Sequence, residues 1–140
     1  MGEENQFRVA ITNSLKFNDQ GENAEALKLL DNAIAKAERD GNVSWIRTLC
    51  HHAAIVASFN ENLTAAQLYY EKSLGSDPEN AKALYGLAAV ALDQGHPEIA
   101  EQYAKRSHTA ILRLNDDDFL KQGLLDLLLK HWPNIADRPE

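Results

Sequence analysis

Residues Arg47–Asn80 read RTLCHHAAIVASFNENLTAAQLYYEKSLGSDPEN, and residues Ala81–Leu114 read AKALYGLAAVALDQGHPEIAEQYAKRSHTAILRL. Laid over each other at an offset of 34 residues, they share a template: an apolar helix, a turn, and a second helix with small residues at fixed places. Self-similarity at that period indicates stacked helix pairs, because one pair cannot bury its own apolar face without leaning on a copy. Such an array builds a surface for another molecule rather than a pocket for chemistry.

Seven helices follow from apolar spacing and turn signals. They are expected over about Phe7–Gln20, Asn23–Arg39, Val43–Phe59, Leu63–Leu74, Pro78–Gln94, Pro97–Leu114 and 116–132. Gly21, Gly41-Asn42, Asn60-Glu61-Asn62 and Gly95 mark turns. Asp77-Pro78-Glu79 reads as a helix start with proline at the first helical position. Asn115 reads as a cap, with Asp116, Asp117 and Asp118 in the first turn of the last helix. No strand pattern and no glycine- or serine-rich linker interrupts the series. Short turns between helices of similar length force antiparallel neighbours.

The 34-residue template resembles the tetratricopeptide repeat (TPR) family, with its pattern W-x2-L-G-x2-Y, A-x3-F, A, P. In the third unit Leu84 takes the aromatic or apolar slot, Leu87-Ala88 the L-G pair and Ala91 the tyrosine slot. Ala100, Ala104 and Ser107 follow in the second helix. In the second unit Cys50, Ala53-Ala54, Ala57, Ala66, Tyr70 and Ser73 fill the same places, and Pro78 falls at the closing proline. A first unit from Phe7 holds Ala10, Asn13-Ser14, Phe17, Gly21, Ala26, Leu30 and Ala33 in register, but lies 40 residues before Arg47. The small residues let paired helices approach closely.

The resemblance implies an all-α fold: an α-solenoid of three TPR-like helix pairs in a right-handed superhelix, closed by a C-terminal capping helix. The whole chain, 1–140, then forms one domain, with units at about 7–42, 47–80 and 81–114, the capping helix at 116–132 and a frayed tail at 134–140. It also implies that the first helix of each unit lines a concave groove for a protein or peptide. Carried onto this chain, the groove positions include Ile11 and Leu15, then His51, Ile55 and Phe59, then Lys82, Tyr85 and Leu92. Their apolar centre suits an apolar peptide or an amphipathic helix. The carboxylate clamp of chaperone-binding TPR domains is a poor match. Lys82 fits one basic slot, but Gly86, His52, Ile11 and Leu15 stand where the other polar residues belong.

The last helix is more apolar than a cap needs. Its leucines and Trp132 spread over an arc of roughly 200°, about twice what covers one face. An alternative function follows, a homo-oligomeric assembly element using Leu125, Leu129 and Trp132.

Composition excludes several other classes. A net charge of −7 opposes a nucleic-acid partner, which requires a basic stripe. Residues 81–115 are the least acidic segment, through Lys105, Arg106 and Arg113 beside Lys82. Cys50 is the only cysteine, so no disulfide forms within the chain. The acidic N-terminus lacks the pattern of a signal peptide, no apolar run reaches a membrane span, and a cytoplasmic location is expected. Adjacent His51 and His52 point about 100° apart and lack a third ligand one turn on. No metalloprotease, P-loop or nucleophile-elbow motif is present. The sequence therefore predicts no enzyme, catalytic residue, metal or cofactor.

Overall fold

A computed structural model describes residues 3–137, with side chains from 5 to 136. Among the described residues the chain is all-helical: α1 (Glu3–Asp19), α2 (Asn23–Arg39), α3 (Val43–Phe59), α4 (Leu63–Ser76), α5 (Ala81–Asp93), α6 (Pro97–Leu112) and α7 (Phe119–His131), then a 3-10 turn, Ile135–Asp137. It falls into two compact units, Met1–Asp77 and Pro78–Glu140.

The turns explain the helix lengths. After α1, α2, α3 and α5 the chain leaves the helix through the same hydrogen-bonded motif. Glu22, Asn42, Asn62 and His96 each donate a backbone N–H to the carbonyl five residues earlier, at 2.8, 2.9, 2.8 and 2.8 Å. This motif needs a residue with positive φ just before the donor. Gly21, Gly41 and Gly95 supply it with φ of 81°, 65° and 82°. In the fourth turn Glu61 holds φ at 62°, where a side chain crowds its own backbone. Three successive 17-residue helices and three-residue turns give the first unit a spacing of 20 residues per helix. Two such steps are the 40-residue offset between Phe7 and Arg47.

In the first unit α1 packs on α2, α2 on α3 and α3 on α4, and α1 also touches α3. The Asn60 side-chain amide donates to Asn18 Oδ1 at 3.1 Å, joining the C-terminal ends of α1 and α3. A second pair of rungs joins α2 to α4: Tyr69 donates to Asp31 at 2.6 Å, and Lys72 Nζ lies 3.2 Å from the Glu38 carboxylate. The core holds Phe7, Leu30, Ile34, Ile46, Leu49, Cys50 and Val56, with small residues between them. The Phe7 and Trp45 rings meet at a tilt of 41° with centroids 5.2 Å apart, and the Arg8 guanidinium lies 5.6 Å from the Trp45 ring.

In the second unit α5 packs on α6, α7 packs on both, and the 3-10 turn packs on α6. The residues that repeat at 34 are buried in both copies: Cys50 and Leu84, Ala54 and Ala88, Ala57 and Ala91, Ala66 and Ala100, Ser73 and Ser107. Buried Ser107 satisfies its hydroxyl by donating to the Ala81 carbonyl at 3.1 Å, which ties α6 to the start of α5.

α1 begins at Glu3, four residues before the expected Phe7, and two helix starts are displaced through local polar contacts. α5 begins at Ala81 rather than Pro78. Asp77 receives the Arg47 guanidinium at 2.9 Å, and Asn80 takes over as cap, accepting from Ala83 N at 3.3 Å. α7 begins at Phe119, because Asp118 rather than Asn115 caps it, accepting from Leu120 N at 2.9 Å. The aspartate triplet therefore precedes the helix. Lys121, in the first turn of α7, points back along this segment and donates to the Leu114 carbonyl at 3.0 Å and to Asp116 at 2.7 Å. Within the stretch expected to fray, Ile135 is buried; residues 138–140 lie outside the described residues.

Glu61→Gly removes the crowding at positive φ and is expected to raise stability by about 1 kcal/mol. Gly41→Ala, forced to the same conformation, is expected to lower it by about 1 kcal/mol. Urea unfolding of the two variants beside the parent chain checks both signs.

Candidate partner-binding face

The site residues expected in the first unit lie on α1 and α3, which are neighbours. Ile11 and Leu15 are one turn apart on α1, and Ile55 and Phe59 are one turn apart on α3, so each pair shares a helix face. The Asn18–Asn60 hydrogen bond sits beside Leu15 and Phe59 in sequence and fixes the two helix ends together. Ile11 is half-buried and packs on the core. Leu15 and Ile55 are 45% and 47% exposed, and Phe59 is 76% exposed. An aromatic ring that open, with Ile55 exposed one turn before it and Leu15 exposed on the neighbouring α1, is apolar surface that packing within the unit has not used. His51, one turn before Ile55, is half-buried, and its ring lies edge-on to that of His52 with centroids 6.1 Å apart.

In the second unit Lys82, Tyr85 and Leu92 lie on α5. Lys82 and Tyr85 are half-buried and Leu92 is exposed. Burial pushes the Tyr85 hydroxyl above its ordinary pKa, so it remains a neutral donor and acceptor throughout the physiological range.

The residues assigned to self-association are differently placed. Trp132 is 6% exposed, and Leu125 and Leu129 are half-buried against the rest of the unit. The open apolar residues at this end are Phe119, Leu120 and Leu127. An apolar arc of that width does not say which part meets the rest of the unit; the structure turns Leu124, Leu128 and Trp132 inward.

Burial, partly offset by Lys72 and reinforced by Glu38 and Asp31, pushes the Cys50 thiol up to about 12. Burial and the hydrogen bond to Asp31 raise the Tyr69 hydroxyl. Asp116, fully exposed, is held below its usual pKa by the Lys121 ammonium. Among the described residues no three His, Cys, Asp or Glu side chains are grouped to hold a metal ion, and no helix is long and apolar enough to cross a membrane. No protein-family model matches this chain, and no curated protein matches its sequence.

Cys50 is expected to react with a maleimide at least roughly ten-fold more slowly in the native chain than in urea. Its raised pKa also carries a stability effect. Between the unfolded value near 9 and the folded value of about 12 the native thiol holds a proton that the unfolded one has lost, so its contribution, complete below pH 9, declines as pH rises through that window. Urea melts at pH 8 and pH 10.5, compared with those of Cys50→Ala, check the sign.

Proposed function

We propose that this chain is a TPR-like interaction module that holds an apolar peptide or an amphipathic helix against the α1–α3 face, with no chemistry of its own. The observation that carries the reading is the exposed Phe59 ring, with Ile55 exposed one turn before it on α3 and Leu15 exposed on α1, which packs against α3. The pairing of α1 with α3 and of α2 with α4 agrees with a solenoid of helix pairs, in which first helices line one side.

The chemistry of the face sets what it accepts. A partner that covers Phe59 gains the transfer of a large ring from water, on the order of 2 kcal/mol when the ring is fully buried. Leu15 and Ile55 add further apolar area, and the rim around them is polar: Lys16 and Asp19 on α1, and Asn60 and Glu61 after α3, offer hydrogen bonds and charge to set register. An extended peptide presents alternate side chains to such a strip, and a helix presents one stripe; both modes use few anchors. The cytoplasm is the location consistent with a lone, buried, reduced cysteine.

A display library of amphipathic helical peptides, panned against the intact chain, tests this reading. Binders are expected to be enriched and to lose at least roughly ten-fold in affinity with Phe59→Asp, as for an interface anchor. Leu68→Asp, which alters an exposed leucine on α4, is expected to leave them unaffected. Equal retention by the Phe59→Asp chain, folded by circular dichroism, would refute the assignment.

A further inference from the structure

The open face of α7 has a pattern of its own. Leu120, Gly123 and Leu127 recur at steps of three and four residues, the spacing of one packing edge of a helix. All three are exposed, and so is Phe119, one turn before Gly123 and 88% open. The opposite side of the helix is already used: Leu124, Leu128 and Trp132 are buried. A glycine in mid-helix lowers helix propensity relative to alanine. Nothing within the unit requires it, because a Cβ built at Gly123 meets no atom within 4 Å. The missing side chain faces outward, at the centre of the exposed apolar edge.

We propose that α7 is a self-association surface, on which two copies of this chain pair their α7 helices antiparallel about a two-fold axis at Gly123. Three features select a second copy as the occupant. The edge is self-complementary: with glycine on the axis, Leu120 of each copy meets the partner's Leu127. The missing Cβ lets the two helix backbones approach closely, so these short leucine ladders interlock. The charges are also complementary in this orientation alone. The acidic end, Asp116 to Asp118, faces the partner's Lys130 and His131, and the helix dipoles oppose. A parallel pair would set aspartates against aspartates. One face of a 13-residue helix is small beside standard interfaces of about 1,600 Å². The dimer is therefore weak, with a Kd on the order of 100 µM.

The test is site-directed oxidative cross-linking in the full chain, where buried Cys50 is silent. Across this axis two copies of position 123 meet, whereas two copies of position 127 lie about 12 Å apart along the helices, beyond disulfide reach. The Gly123→Cys chain is expected to form covalent dimer at least roughly ten times faster than the Leu127→Cys chain, whose position is also exposed, at the same concentration. A mixture of Leu120→Cys and Leu127→Cys chains is expected to yield the mixed dimer in preference to either self-dimer. Light scattering of the unmodified chain is expected to show mass rising between about 10 µM and 1 mM. Equal rates at positions 123 and 127, or a constant monomer mass across that range, would overturn the proposal. Because Gly123 has open space around it, its replacement leaves the monomer folded, and circular dichroism of each variant verifies this.

Discussion

Two helices faced with alanine and serine can bring their backbones closer than two faced with leucine, and the arrangement of this chain rests on that close approach. Ala54, Ala57, Ala66 and Ser73 are buried in the first unit, and Ala88, Ala91, Ala100 and Ser107 in the second. A larger side chain at such buried places must push its neighbours apart. The larger residues, Leu49 and Val56 in one unit and Leu84 and Leu87 in the other, then fill the space beside the narrow seams. Serine is admitted to such a seam only if its hydroxyl finds a partner. Ser14 gives its proton to the Ile11 carbonyl at 2.7 Å, and Ser107 gives its own to Ala81.

The turns work with the seams. A helix that must lie close against the next has little length to spare between them, and the three-residue turn with one left-handed residue is the shortest route back. Three of the four such turns place glycine there. The fourth uses glutamate, at the point where α3 ends beside the exposed Phe59. Strain and exposed apolar surface therefore meet at the same corner of the first unit. The side-chain tie between Asn18 and Asn60 holds that corner in place.

The helices and their seams were legible because they are written in periodic residues. The bounds expected for the second and third helices match α2 and α3, whose ends carry glycine and asparagine. Boundaries failed where a polar side chain had two candidate partners. Asp77 could cap a helix or receive Arg47, and nothing within the local sequence says that Arg47, 30 residues earlier, lies beside it. Asp116 similarly answers Lys121 rather than the helix N-terminus. The spare surfaces were legible only in part. Phe59 and Leu15 stood out by their slots, whereas the open edge of α7 depends on how that helix is rotated, and hydrophobic spacing over so wide an arc does not encode the rotation.

The close approach of the paired helices is tested most directly at Ala66, which is fully buried where α4 packs on α3. Equilibrium urea unfolding of Ala66→Leu is predicted to show a loss of about 1–3 kcal/mol, the cost of overpacking a seam that cannot widen. The same substitution at Ala24, on the exposed side of α2, should change stability by less than about 0.5 kcal/mol. An Ala66→Leu chain as stable as its parent, or more so, would show that the seam has room to spare and would contradict the account.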